Sequence, residues 1–231
     1  MATEIRHPED KNIISEKSLH TDNQAQEFWQ KNGKKLLYVI LAGIIFAAAF
    51  FAYKSFFIAP ENLKAAEAMW KAEDYYRKDS SRLALNGDGA SQGFLKIISK
   101  YGGTRSGNLA KFYAASSYMK LNDFNNAIKY LKDFSADDKL VSVRAAGLLA
   151  DAYAETGKKS EAAIQYQKAG TLYPEDTYNS PEYLFRAGLL FQELAKNKEA
   201  IDAFKLIKDK YAASERGLDI DKYLARLGSI D

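Results

Sequence analysis

The sequence contains no cysteine, two histidines and four prolines, and each shortage closes off a class of explanation. Without cysteine there are no disulfides, no thiolate nucleophile and no cysteine-ligated zinc, and any redox compartment is permitted. The histidines are His7 and His20, so everything after residue 20 lacks one. That region cannot assemble a Ser-His-Asp or Cys-His nucleophile or an imidazole-bound zinc site. Carboxylate pairs would be the remaining route to acid/base chemistry. The acidic residues instead alternate with lysines, as in Lys198-Glu199 and Asp209-Lys210, which is the pattern of a solvated helix face. Neither an enzyme nor a bound cofactor or metal is expected. Charge of one sign is scarce too: 33 basic residues stand against 30 acidic ones, net +3, which leaves no basic footprint and excludes nucleic acid as a partner.

What is abundant is apolar surface, at 47% of residues. Residues 36–58 are almost uninterruptedly apolar and, at ~1.5 Å per residue, long enough to cross a hydrocarbon core of about 30 Å. The single charge, Lys54, lies near the end of the run, where its side chain reaches the interface. Ala47-Ala48-Ala49 offers small residues of the kind a signal peptidase cleaves. The polar region before the run is longer than a signal-peptide n-region, however, so an uncleaved transmembrane anchor is expected. Lys31, Lys34 and Lys35 crowd its N-terminal flank and favour a cytoplasmic tail over residues 1–35. Phe28-Trp29 followed by Asn32-Gly33 reads as a short amphipathic helix and a break. Phe28, Trp29, Lys34 and Lys35 would then sit at the surface of the lipid bilayer.

After Pro60 the apolar residues recur at spacings of three and four, the period of helices. Three segments then superpose. Tyr118, Leu121, Ala127 and Leu131 are matched by Tyr153, Thr156, Ala162 and Tyr166, and again by Phe191, Leu194, Ala200 and Phe204, at intervals of about 35 and 38 residues. An aromatic with an alanine nine residues on, at such a period, resembles the tetratricopeptide repeat. The alanine has a mechanical role, because two helices of a hairpin approach closely only where the side chain is small. Residues 175–181 account for the longer third interval, and Pro174 falls between consecutive hairpins. Upstream, residues 63–85 read as one long helix and 94–101 as a second, joined by Asn86-Gly87-Asp88-Gly89, which lacks the ligand spacing of a calcium loop. Gly102-Gly103-Thr104 lacks the lysine of a phosphate loop. The expected fold class is all-α: one transmembrane helix over 36–58, then a tetratricopeptide-like α-solenoid over 60–231. Its hairpins are expected near 60–101, 105–135, 140–173 and 181–212, with a cap over 216–231 that turns Leu218, Ile220, Tyr223 and Leu227 inward.

In arrays of this kind the first helix of each hairpin lines a concave face. Helical spacing puts Phe112, Ser116 and Met119 there, then Gly147 and Asp151, then Phe185, Leu189 and Gln192. Some repeats of this type clamp a C-terminal carboxylate with Lys, Asn and Arg. Phe112, Gly147 and Phe185 stand instead, which points to an apolar helix or extended segment as ligand, or else to Phe112 and Phe185 being core residues.

The order of features, namely an aromatic pair, Asn32-Gly33-Lys34, an apolar span and tetratricopeptide-like hairpins, resembles the YfgM-like family of ancillary Sec translocon subunits. The resemblance covers nearly the whole chain. It implies an inner-membrane protein with a periplasmic domain. Its partners would be Sec translocon subunits and a membrane-tethered periplasmic chaperone of the prolyl-isomerase type, and its work would be the handover of exported proteins. The alternative from another class is a scaffold for envelope assembly or cell division, which needs the same anchor and the same groove.

Overall fold

The computed structural model describes residues 9–229, with side chains for 29–56 and 58–229. The first eight residues of the tail, the last two of the C-terminal cap and the Phe28 side chain lie outside the described residues. The chain forms two compact units, Met1–Ala59 and Pro60–Asp231.

The first unit is helix α1 (Glu9–Tyr53) followed by a π-helical segment, Lys54–Ile58. The break expected at Asn32-Gly33 does not occur. One glycine inside a helix costs only about 1 kcal/mol relative to alanine, and the apolar run that follows sustains the helix. The stretch from Trp29 is the one helix among the described residues long and apolar enough to cross a membrane, and none of its apolar window is buried. Phe46 is 75% and Phe51 73% exposed. A surface this apolar is stable only against a non-aqueous environment or another protein.

Among its described residues the regular structure of the second unit is all helical, apart from an isolated bridge between Gly87 and Gln92. It comprises α2 (Ala59–Arg77), α3 (Ser81–Asn86), α4 (Phe94–Tyr101), α5 (Arg105–Lys120), α6 (Phe124–Lys132), α7 (Lys139–Glu155), α8 (Lys159–Leu172), α9 (Asn179–Glu193), α10 (Asn197–Lys210), α11 (Glu215–Leu218) and α12 (Ile220–Arg226). From α4 to α10 each helix packs on the next in sequence, and α5 touches α7 as α7 touches α9. This is serial packing of helical hairpins, α5/α6, α7/α8 and α9/α10.

The same turn closes each hairpin. Asp123 N donates to Tyr118 O, Lys158 N to Tyr153 O and Lys196 N to Phe191 O, at 2.9, 2.9 and 2.8 Å. Before each donor stands a residue in the left-handed region: Asn122 (φ 59°), Gly157 (φ 74°) and Ala195 (φ 57°). This is the Schellman arrangement, which satisfies the last carbonyls of the first helix and reverses the chain within two residues. Asp123 also caps α6 by accepting from the N–H of Asn126, three residues on, at 3.2 Å.

A fourth copy of this turn lies where one helix over 63–85 was expected. Ser80 N donates to Tyr75 O at 2.9 Å behind Asp79 (φ 55°), so the chain reverses there and α2 and α3 are separate helices. Tyr75 and Ala84 are the aromatic and the alanine nine residues on, and Ala84 has no exposed surface. The first hairpin is therefore a genuine repeat whose second helix is interrupted. Residues 87–93 fold around the Asp88 carboxylate, which accepts from Ser91 N at 2.6 Å, Ala90 N at 3.0 Å and the Tyr75 hydroxyl at 2.6 Å. Those bonds hold the carboxyl well below its ordinary pKa, at about 2, with the Tyr75 hydrogen bond as the largest cause.

Among the described residues the core comprises three clusters. One joins α2, α3, α4 and α5 around Phe94 and Ile97; a second joins α5, α6 and α7 around Ala127 and Leu131; the largest runs from α7 to α12 around Phe204. The recurrent alanines Ala127, Ala162 and Ala200 have no exposed surface at all. Replacing Ala162 with leucine is therefore expected to force the α7/α8 crossing apart, at a cost of roughly 1–3 kcal/mol. Ser160→Leu, at a position only half buried, should cost far less. Chemical denaturation measures both, and equal losses would mean that the crossing has room to spare. In the cap, Ile220 is buried and Tyr223 and Leu227 pack on the third cluster, but Leu218 is 78% exposed. Leu218 ends the four-residue α11, whose Gly217 is already packed against the Tyr211 and Ala212 carbonyls, so the turn faces it outward.

Candidate functional site

The first helix of each hairpin does not present the apolar face expected of it. Phe185 is buried, packed edge-on against Tyr223 at 4.8 Å and beside Phe204 at 6.0 Å. Phe112 is half-buried among Tyr113 and Phe134, and Met119 belongs to the same cluster. Ser116 is buried. Gly147 is covered by Tyr183, since a Cβ there would lie 2.2 Å from the ring, so it is a packing gap and not a floor. Helical spacing defines two faces of a helix but not which one the next hairpin covers, and for these residues it is the covered one. Leu189 remains 38% exposed and Gln192 half-buried. Asp151 lines a groove.

That groove, about 580 Å³, is polar. Its spine is a chain of alternating charges across three helices. Arg186 on α9 pairs with Asp151 on α7 at 3.1 Å and with Glu182, one turn away, at 2.7 Å. Arg216 on α11 reaches the other Glu182 oxygen at 2.6 Å. The Tyr166 hydroxyl of α8 donates to the same Asp151 oxygen. Each guanidinium is braced by a ring: Arg186 lies 5.8 Å from the Tyr166 centroid and Arg216 4.5 Å from that of Phe185. The buried Phe185 thus serves the site from beneath. Tyr183, stacked on Tyr166, completes the wall.

Residues 175–181, which lengthen the third interval, form the rim. Asp176 is buried and organises the loop, accepting from Asn179 N at 2.8 Å, Asn179 Nδ2 at 2.7 Å and Tyr178 N at 3.1 Å. Ser180 Oγ donates to Tyr173 O, and the Tyr211 hydroxyl to Pro174 O, each at 3.0 Å. The loop so held projects Tyr178, 85% exposed, beside the groove. Glu182 and Arg186 were legible in the sequence as an i,i+4 pair. Arg216 and Tyr178 carried no such signal, because only the return of α11 onto α9 brings them in.

Partial burial of the Glu182 carboxyl pushes its pKa up, but the hydrogen bonds and charges of Arg216 and Arg186 outweigh that and hold it below the ordinary 4.5. Burial and the bond to Asp151 push the Tyr166 hydroxyl up, so it stays protonated and donating. A carboxyl whose pKa is lower in the folded than in the unfolded chain stabilises the fold above the unfolded value. That stabilisation is lost as the pH falls through the folded one. Wild type is therefore expected to lose more stability between about pH 5 and pH 3 than Arg216→Ala, which has already given up that bond. Denaturant midpoints across that range test this, and parallel curves would remove the argument.

The groove offers two arginines, the Glu215 carboxylate and a phenolic rim, an arrangement for hydrogen bonding to an extended polar segment. A family model described as a tetratricopeptide repeat-like domain matches residues 26–150, more than half of the chain. Two tetratricopeptide repeat models match 143–176 and 182–214. No curated protein matches the chain.

Proposed function

We propose that this chain, which belongs to the tetratricopeptide repeat-like family, is a membrane-anchored adaptor that holds a protein partner in the ionic groove between α7, α9 and α11. Repeats of this family are typically non-catalytic modules of protein interaction, which supports this class of activity. The observation that carries the reading is the conjunction of an unburied apolar helix, long enough to cross a bilayer, with a serial helical array that keeps a charged groove open. The first confines the second near a membrane, raising its effective concentration at any embedded partner so that weak contacts suffice. Leu63 and Trp70, 63% and 64% exposed on α2, add an apolar patch early in the array.

The finer reading is the YfgM-like one: an inner-membrane protein with residues 1–35 in the cytoplasm, a span at 36–58 and the repeats from residue 60 in the periplasm. Its partners would be Sec translocon subunits and a prolyl-isomerase-type chaperone. The feature order and the lysine-rich flank of the span support it. A reporter active only after export, fused at Asp231, is expected to be active, and an inactive but stable fusion reverses the orientation. Photo-crosslinkers at Tyr178 and Gln192 are expected to capture a chaperone, and at Trp29 a translocon subunit. Recovery of only cell-division or outer-membrane assembly proteins would replace this reading with the envelope scaffold.

A further inference from the structure

We propose that a second groove, on the side of α7 opposite the ionic one, docks an acidic amphipathic helix of a partner protein. This rests on the reading of the chain as a protein-binding module but not on the identity of its membrane partner. The groove, about 370 Å³, runs between α6 and α8 with α7 as its floor. Its base is apolar: Leu131 from α6 and Ala145, Ala146 and Leu149 from α7. At about 100° per residue, Ala146 and Leu149 share one face of α7 while Asp151 lies roughly half a turn away, so the two grooves are separate surfaces.

The charges around this base carry the inference. Lys132 on α6 and Lys168 on α8 line the groove from its two walls, both exposed, and no carboxylate lines it. Neither lysine has an ion-pair partner among the described residues. The neighbour of Lys132, Asp133, is engaged elsewhere, with Lys111 at 2.8 Å. Two second helices of consecutive hairpins with small residues between them form a trough into which a third helix packs ridge into groove. An occupant with apolar residues at i, i+3, i+4 and i+7 would fill the base. Glutamates or aspartates on its flanks would meet Lys132 and Lys168, whereas a basic helix would place like charges together.

The test uses the full chain in detergent micelles and a displayed library of random peptides of about 12 residues. The expected result is enrichment of acidic amphipathic sequences. Their binding should weaken roughly tenfold or more in Lys132→Glu/Lys168→Glu, fall as salt is raised, and persist in Lys96→Glu, a reversal at an exposed position outside both grooves. Both lysines are exposed, so an unchanged helical circular dichroism spectrum is expected of the reversed variant and confirms that it is folded. The proposal is overturned if no sequence is enriched, if the enriched peptides lack acidic residues, or if they tolerate the double reversal. It is equally overturned if vesicles of anionic lipid displace the peptides through Lys132 and Lys168, which would assign the groove to a lipid headgroup. No translocon subunit takes part, so this proposal and the assignment of the membrane partner fail separately.

Discussion

Phe204→Ala is expected to destabilise the helical unit by about 3–5 kcal/mol, the range for deleting a fully enclosed ring from a core that cannot collapse. Phe204 has no exposed surface and lies 6.0 Å from Phe185 and 5.6 Å from Tyr223. Its edge fills the notch left by Gly188, where a Cβ would approach the ring to 2.3 Å. Rigid helices on both sides leave a cavity, not a repacked core. The loss also reaches the site, because Phe185 carries Arg216 on its face. Urea denaturation measures the stability, and a loss below about 1.5 kcal/mol would mean that the C-terminal hairpin closes over the gap.

The second large effect runs against helix propensity. Alanine is better than glycine inside a helix by about 1 kcal/mol, so Gly107→Ala in α5 would be expected to stabilise. It should instead cost about 3 kcal/mol or more by overpacking. A Cβ at Gly107 would fall 1.8 Å from Tyr101 O and 2.9 Å from Gly102 N, and backbone cannot swing aside as a side-chain tip can. Moving that carbonyl would undo the start of α5, where Thr104 Oγ1 donates to Tyr101 O at 2.8 Å and accepts from Gly107 N at 2.9 Å. Gly103, with nothing within 4 Å of its would-be Cβ, supplies the control. Equal thermal midpoints for Gly107→Ala and Gly103→Ala would refute the clash.

Hairpins α5/α6, α7/α8 and α9/α10 were legible because two independent constraints coincide in each: an aromatic near the end of the first helix and, nine residues on, an alanine at the crossing. The first hairpin obeys the same spacing with Tyr75 and Ala84. It was concealed because its second helix, α3, is only six residues long and the glycines that suggest a break, Gly87 and Gly89, come after it and not at Asp79. The binding surface was less legible still. Phe112 and Phe185 occupy the right positions along their helices, but a helix packed on two sides has apolar residues on both, and sequence does not say which side is left open. The ionic groove depends on Arg216 meeting Glu182, a contact across more than thirty residues that no local period encodes.

The serial packing has a mechanical consequence. An array in which each helix leans on its neighbours carries tension in series: pulled from the C-terminus, α12 must leave α10 before α9 and α10 can part, and slack is released one hairpin at a time. The ionic groove interrupts that order, since Asp151, Arg186, Glu182 and Arg216 tie α7, α9 and α11 together. A segment bound across them would act as a splint, and the last two links would then give way together.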